Sequence, residues 1–146
     1  MKETPKIIRV KLKTERHDEF ILLGIVSHEP DYKLSLALNK KLKISLRNRN
    51  PVITYSGPDN ELIFSRFSDT SSSPELIYDL ISNRSGKSYL LKKLKNVDYI
   101  FRIYDPQNSV KTDDITVLLR EIECVSGVFI LNPATIRDRN LYYLLN

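Results

Sequence analysis

The sequence predicts an α+β fold: a mainly antiparallel sheet with two principal helices on one face, formed as a single domain over residues 1–146. Several short runs carry strand periodicity or unbroken apolar character, and turn residues separate them. Only two stretches place their apolar residues on a helical stripe. The order is strand, strand, helix, several strands, helix, strand, and laying both helices on one sheet face is the simplest way to bury both stripes.

The first run, residues 7–13, alternates Ile8, Val10 and Leu12 with Arg9, Lys11 and Lys13, as in a half-buried strand. Residues 1–6 before it are expected to be a loose N-terminus. Residues 20–27, FILLGIVS, show no polar alternation, which predicts a strand covered on both faces, in the middle of the sheet. Pro30 and Asp31 then suit a first helical turn, and Leu34, Leu38 and Leu42 follow at helical spacing, with Lys40, Lys41 and Lys43 in the closing turn. Residues 44–47 read as a short strand.

Two strands, around VITYSG and ELIFSRFS, flank Gly57, Pro58, Asp59 and Asn60, which predicts a hairpin. The run DTSSSP, residues 69–74, reads as a flexible loop, and residues 75–82 as either a strand or a short helix, with the strand favoured because Ile77, Tyr78 and Ile81 pack well in sheets. After a turn at residues 83–87, Val97, Tyr99, Phe101 and Ile103 alternate along a strand with one apolar side. Thr112 is placed to cap a helix whose stripe is Ile115, Leu118, Leu119 and Ile122, and Gly127 precedes a last strand, VFIL.

Composition excludes several classes of function. The longest apolar stretch, Phe20 to Val26, is far short of the roughly 20 residues of a membrane-spanning helix. Residues 1–16 mix cations with Glu3 and Glu15 and hold no signal-peptide core, so a cytoplasmic protein is expected. The lone Cys124 excludes an internal disulfide and a multi-cysteine zinc site, and its apolar neighbours suggest a buried structural thiol. His17 and His28 lack metal-ligand spacing, and Ser27 and Ser126 lack a nucleophile elbow. The four glycines form no phosphate-binding loop. No catalytic residue, metal or cofactor is expected.

The segments DYKLSLALNKKLKISL and LKNVDYIFRI, with the helix, strand and basic tail that follow, resemble in order and spacing the IPExxxVDY family of small Bacteroidota proteins. Val97, Asp98 and Tyr99 keep the second half of that motif, whereas Leu91, Lys92 and Lys93 stand where the family has Ile, Pro and Glu. The resemblance implies a cytoplasmic bacterial protein without an assigned activity. If the family's Glu had a catalytic or metal-binding role, Lys93 could not perform it. Asp98 is expected to accept backbone or Arg hydrogen bonds at the start of its strand, with a binding role as the alternative, and Tyr99 to face the core.

Function is therefore expected at the surface. The net charge of +5 and pI near 9.3 permit attraction to anions. The cations form three sets: Arg9, Lys11 and Lys13; Lys40, Lys41, Lys43, Arg47 and Arg49; and Lys87, Lys92, Lys93 and Lys95. A non-enzymatic protein-interaction module, a homodimer included, is the leading expectation. Its apolar patch would involve Leu141, Tyr142, Tyr143, Leu144 and Leu145 unless that tail docks on its own sheet. The alternative is an RNA- or ribosome-associated accessory protein, binding through Lys40, Lys41, Lys43, Arg47, Arg49, Lys92, Lys93 and Lys95, with Tyr55 or Tyr89 as stacking platforms.

Overall fold

The structure is a computed structural model, and it describes residues 19–146. The strand expected at residues 7–13, the loose end at 1–6, His17 and the cations Arg9, Lys11 and Lys13 lie outside the described residues. The chain runs through β1 (Phe20–Val26), α1 (Asp31–Leu42), β2 (Arg47–Tyr55), β3 (Glu61–Ser72), β4 (Leu76–Ser82), β5 (Arg84–Ser85) and β6 (Ser88–Tyr89). It continues through β7 (Tyr99–Tyr104), α2 (Thr112–Arg120), β8 (Gly127–Leu131) and a closing 3₁₀ turn, Arg139–Leu144.

Among the described residues six strands form one antiparallel sheet in the order β2-β3-β4-β7-β1-β8, and β5 and β6 make a separate two-stranded ribbon around Gly86. The α+β architecture is as the periodicities predict. The central position expected for β1 is corrected: among the described strands it lies beside the last one, β8, and β4 and β7 hold the middle. The cover on both faces expected from its unbroken apolar run is present. Leu23 and Ile25 enter the cluster shared with α1 and α2, and Leu22 enters a second cluster on the opposite face.

The helix-side core joins Leu34 and Leu38 of α1 and Leu119 of α2 to Phe67, Leu80, Phe101 and Ile103 of the sheet. The second core packs Phe64, Ile81, Ile100 and Leu22 under Leu90, Leu91, Val97 and the chain's own Leu144 and Leu145. The apolar tail therefore docks in cis. Across the second face runs a polar ladder: the Ser68 hydroxyl donates to Asp79, and Arg102 donates to the same carboxylate through Nε (3.1 Å) and Nη2 (2.8 Å). Nη1 of Arg102 donates to the carbonyls of Tyr143 (3.2 Å) and Leu144 (3.1 Å), which fixes the tail's last turn. A buried guanidinium needs such partners because each unsatisfied donor would carry its full desolvation cost.

Four further expectations change. Residues 44–46 are no strand; the Asn39 side chain accepts from the Leu46 N–H (2.7 Å) and donates to its carbonyl (3.2 Å), taking the place of a neighbouring strand. The loop expected at 69–74 is mostly strand, because β3 runs to Ser72. Asp69 is buried there and accepts from the N–H groups of Ser45 and Ser71 and from the Ser71 hydroxyl. Helix α2 is preceded by Lys111 as its cap residue, without a side-chain bond; Thr112 already lies inside, where its carbonyl accepts from Thr116 Oγ1. Val97 falls on the opposite face from Tyr99, Phe101 and Ile103, since it precedes the strand and turns into the second core. No helix among the described residues is long and apolar enough to cross a membrane.

Candidate anion-binding groove

The two halves of the motif have separate fates. Asp98 is spent on the fold: one carboxylate oxygen accepts the Ser27 N–H (3.0 Å) and the other pairs with Arg84 Nε (3.0 Å). The Tyr99 hydroxyl donates to the Glu29 carbonyl (2.6 Å). Burial, reinforced by the charges of Asp31, Asp98 and Glu29, pushes its phenol up to about 12. Together these bonds pin the link between β1 and α1. A cavity of about 300 Å³ beside them includes His28, Glu29 and Arg84 in its lining, but His28 is exposed, and both oxygens of Asp98 are engaged. Ser27 Oγ donates to the Cys124 carbonyl, Ser126 Oγ donates to the Val26 carbonyl, and Cys124 is half-buried against the helix-side core. Among the described residues no cluster of His, Cys, Asp or Glu could hold a metal ion.

The other half, Leu91 to Lys93, lies on a loop organised by Asn83. This fully buried side chain accepts the Leu91 N–H (2.8 Å) and donates to the carbonyls of Leu94 and Val97 (both 2.9 Å). Its backbone adds bonds to Leu90 and Asp98. Leu90 and Leu91 are thereby driven into the second core, and Lys92 and Lys93 are left at the surface. One-sided burial of a short loop makes the lysines point to solvent.

Asp138 joins this loop to the closing 3₁₀ turn. One of its oxygens accepts the Lys92 N–H (2.8 Å) and the other caps the turn by accepting the Asn140 N–H (2.9 Å). Asn140 Nδ2 donates to the Leu90 carbonyl (2.7 Å). The joined segments line a groove of about 520 Å³ with Lys92, Lys93, Arg137, Arg139, Asp138, Asn140, Tyr55 and Ser56. Four cations face one carboxylate, and that carboxylate already serves two backbone N–H groups. Among the described residues none of the four cations forms an ion pair.

The expected anion contacts are thus divided. Lys92 and Lys93 enter the groove, and Lys87 and Lys95 are exposed without lining it. Lys40, Lys41 and Lys43 close α1 on the opposite side of the sheet, where Lys41 Nζ meets Glu121 at 2.8 Å. Arg47 and Arg49 lie on β2 roughly 20–26 Å before Tyr55, at the usual rise per strand residue. Of the two tyrosines expected as platforms, Tyr55 is exposed and borders the groove, whereas Tyr89 lies under the Arg84 guanidinium, 5.5 Å from its carbon to the ring centre. Arg137, Arg139 and Asn140 were not foreseen. The signal was present in the tail IRDRN, whose two arginines immediately precede an apolar run.

No protein-family model, no curated protein and no solved structure matches the chain.

Proposed function

We propose that the chain is a non-enzymatic RNA-binding accessory protein of the cytoplasm that takes the sugar-phosphate backbone along the groove of Lys92, Lys93, Arg137 and Arg139. One observation carries this reading: four cations from two distant segments, none of them in an ion pair among the described residues, converge on one concave surface. Neutralising phosphates there releases condensed counterions, so affinity should fall steeply with salt, with a slope of about −0.7 per phosphate contacted on a single strand. Kinship with the IPExxxVDY proteins would rest on Val97, Asp98 and Tyr99, and Lys92 and Lys93, standing where that family has Pro and Glu, would make the groove more basic than its counterpart there.

Fluorescence anisotropy with a labelled RNA oligonucleotide, titrated between low and moderate salt, tests the proposal. Replacing Lys92, Lys93, Arg137 and Arg139 together by Gln should abolish the salt-dependent binding, and replacing Lys40, Lys41 and Lys43 should leave it. Unchanged affinity in the groove variant would sink the reading. A protein partner is the second reading, favoured by Tyr142 and Tyr143, which remain exposed and edge-to-face at 5.7 Å although Leu144 and Leu145 of the tail are buried. A pull-down from native lysate with and without RNase separates the two: partners retained after RNase treatment favour the protein interface.

A further inference from the structure

The groove has an apolar neighbour. Lys93, Arg137 and Asp138 border both the groove and a second depression of about 250 Å³, whose apolar wall comes from Leu94, Leu131 and Ile136. All three are half-buried, so each keeps part of its side chain open beside the cations. The volume is below the roughly 300–1,000 Å³ that encloses a drug-sized ligand, and suits one flat ring system.

Resting on the reading of the groove as a phosphate-backbone site, we infer that this slot receives one unstacked base, so that the ligand is a single strand and not a duplex. The charge arrangement selects this occupant. A strand whose phosphates lie against Lys93 and Arg137 carries its bases within reach of the adjoining wall, whereas a duplex keeps its bases stacked and paired inside. An apolar wall offers every base a surface and no hydrogen-bond code, so recognition is of strandedness and not of sequence. The Arg137 side chain, shared by both depressions, can contact a phosphate on one side and a base on the other.

The test compares three labelled oligomers of equal length on the wild-type protein: a single-stranded RNA, a sugar-phosphate strand lacking bases, and an RNA duplex. The single strand should bind roughly 5- to 100-fold more tightly than the base-free strand, as stacking of one base implies. It should also bind more tightly than the duplex. In Ile136→Ser, with folding checked by circular dichroism, that advantage should shrink while the salt slope stays the same. Equal affinity for the single and base-free strands, or an unchanged advantage in a folded Ile136→Ser, overturns the slot and leaves the groove standing. Absence of binding by all three oligomers overturns both.

Discussion

Val97 closes directly over Gly24: a Cβ built on Gly24 would lie 2.9 Å from Val97 Cγ2 and 3.1 Å from Cγ1. The glycine in the middle of β1 is therefore required by the valine of the VDY motif. Val97 is β-branched and buried, so it has little freedom to withdraw. Gly24→Ala should cost about 1–3 kcal/mol of stability by overpacking. Val97→Ala in the same chain should recover part of that loss. Urea unfolding of the two single variants and the double variant checks this, and additive losses would contradict the contact.

The Asp79–Arg102 pair offers a sharper test of the second core. Their side chains are 3% and 9% exposed, so removing one leaves a charge stranded away from water. Asp79→Asn or Arg102→Met alone should destabilise the protein by about 3–5 kcal/mol. The double replacement Asp79→Leu, Arg102→Met should cost less than the two single changes combined. Arg102→Met should also raise amide exchange in the 3₁₀ turn, because the carbonyls of Tyr143 and Leu144 lose their donor.

Asn83 links the core to the groove. Asn83→Asp keeps the acceptor for Leu91 but sets a carboxylate against the Leu94 and Val97 carbonyls, which accept and cannot donate. Faster amide exchange at Leu91 and Lys92, with weaker anion binding, is the expected outcome. Wild-type exchange across residues 90–98 would show that the loop is held by other contacts.

Acid stability should depend on Asp69 and Asp105. Burial pushes both carboxyl groups up, but hydrogen bonds outweigh it: from Ser71 and Ser45, with the Arg47 charge, at Asp69, and from Val110 and Ser109 at Asp105. Both are held below the ordinary value of 3.8. In the acid range the unfolded chain binds protons first, so the stability these groups supply is present above 3.8 and is lost as pH falls through their folded values. Asp69→Asn and Asp105→Asn should each flatten the decline of stability below about pH 4, measured as melting temperature against pH.

The elements with strong local periodicity were legible. Leu34 and Leu38 marked α1, Ile115 and Leu119 marked α2, which ends at Arg120 before the last residue of its expected stripe, Ile122, and the turn at residues 57–60 marked the β2–β3 hairpin. Sheet order was not legible, because an apolar run such as Phe20–Val26 reports that two faces are covered and says nothing of which strands lie alongside. The polar end of β3 was hidden for another reason. Part of what satisfies Asp69 in the sheet is an N–H from Ser45, a residue remote in sequence. Of the groove, Lys92 and Lys93 could be found by local charge, but Arg137 and Arg139 could not be grouped with them until Asp138 tied the two segments together.

The position of β1 carries a kinetic consequence. Phe20 pairs with Tyr104 and Leu22 with Leu131, so both neighbours of this early strand come from the last third of the chain. The β2-β3-β4 meander can zip up from adjacent hairpins, but β1 must wait until two late strands are ready to flank it, paying a large loop-closure entropy in advance. Such non-local closure belongs to topologies that fold in milliseconds to seconds. During that interval a bare, strongly apolar strand is on offer to any other chain, which makes assembly of this sheet sensitive to protein concentration and to chaperone protection.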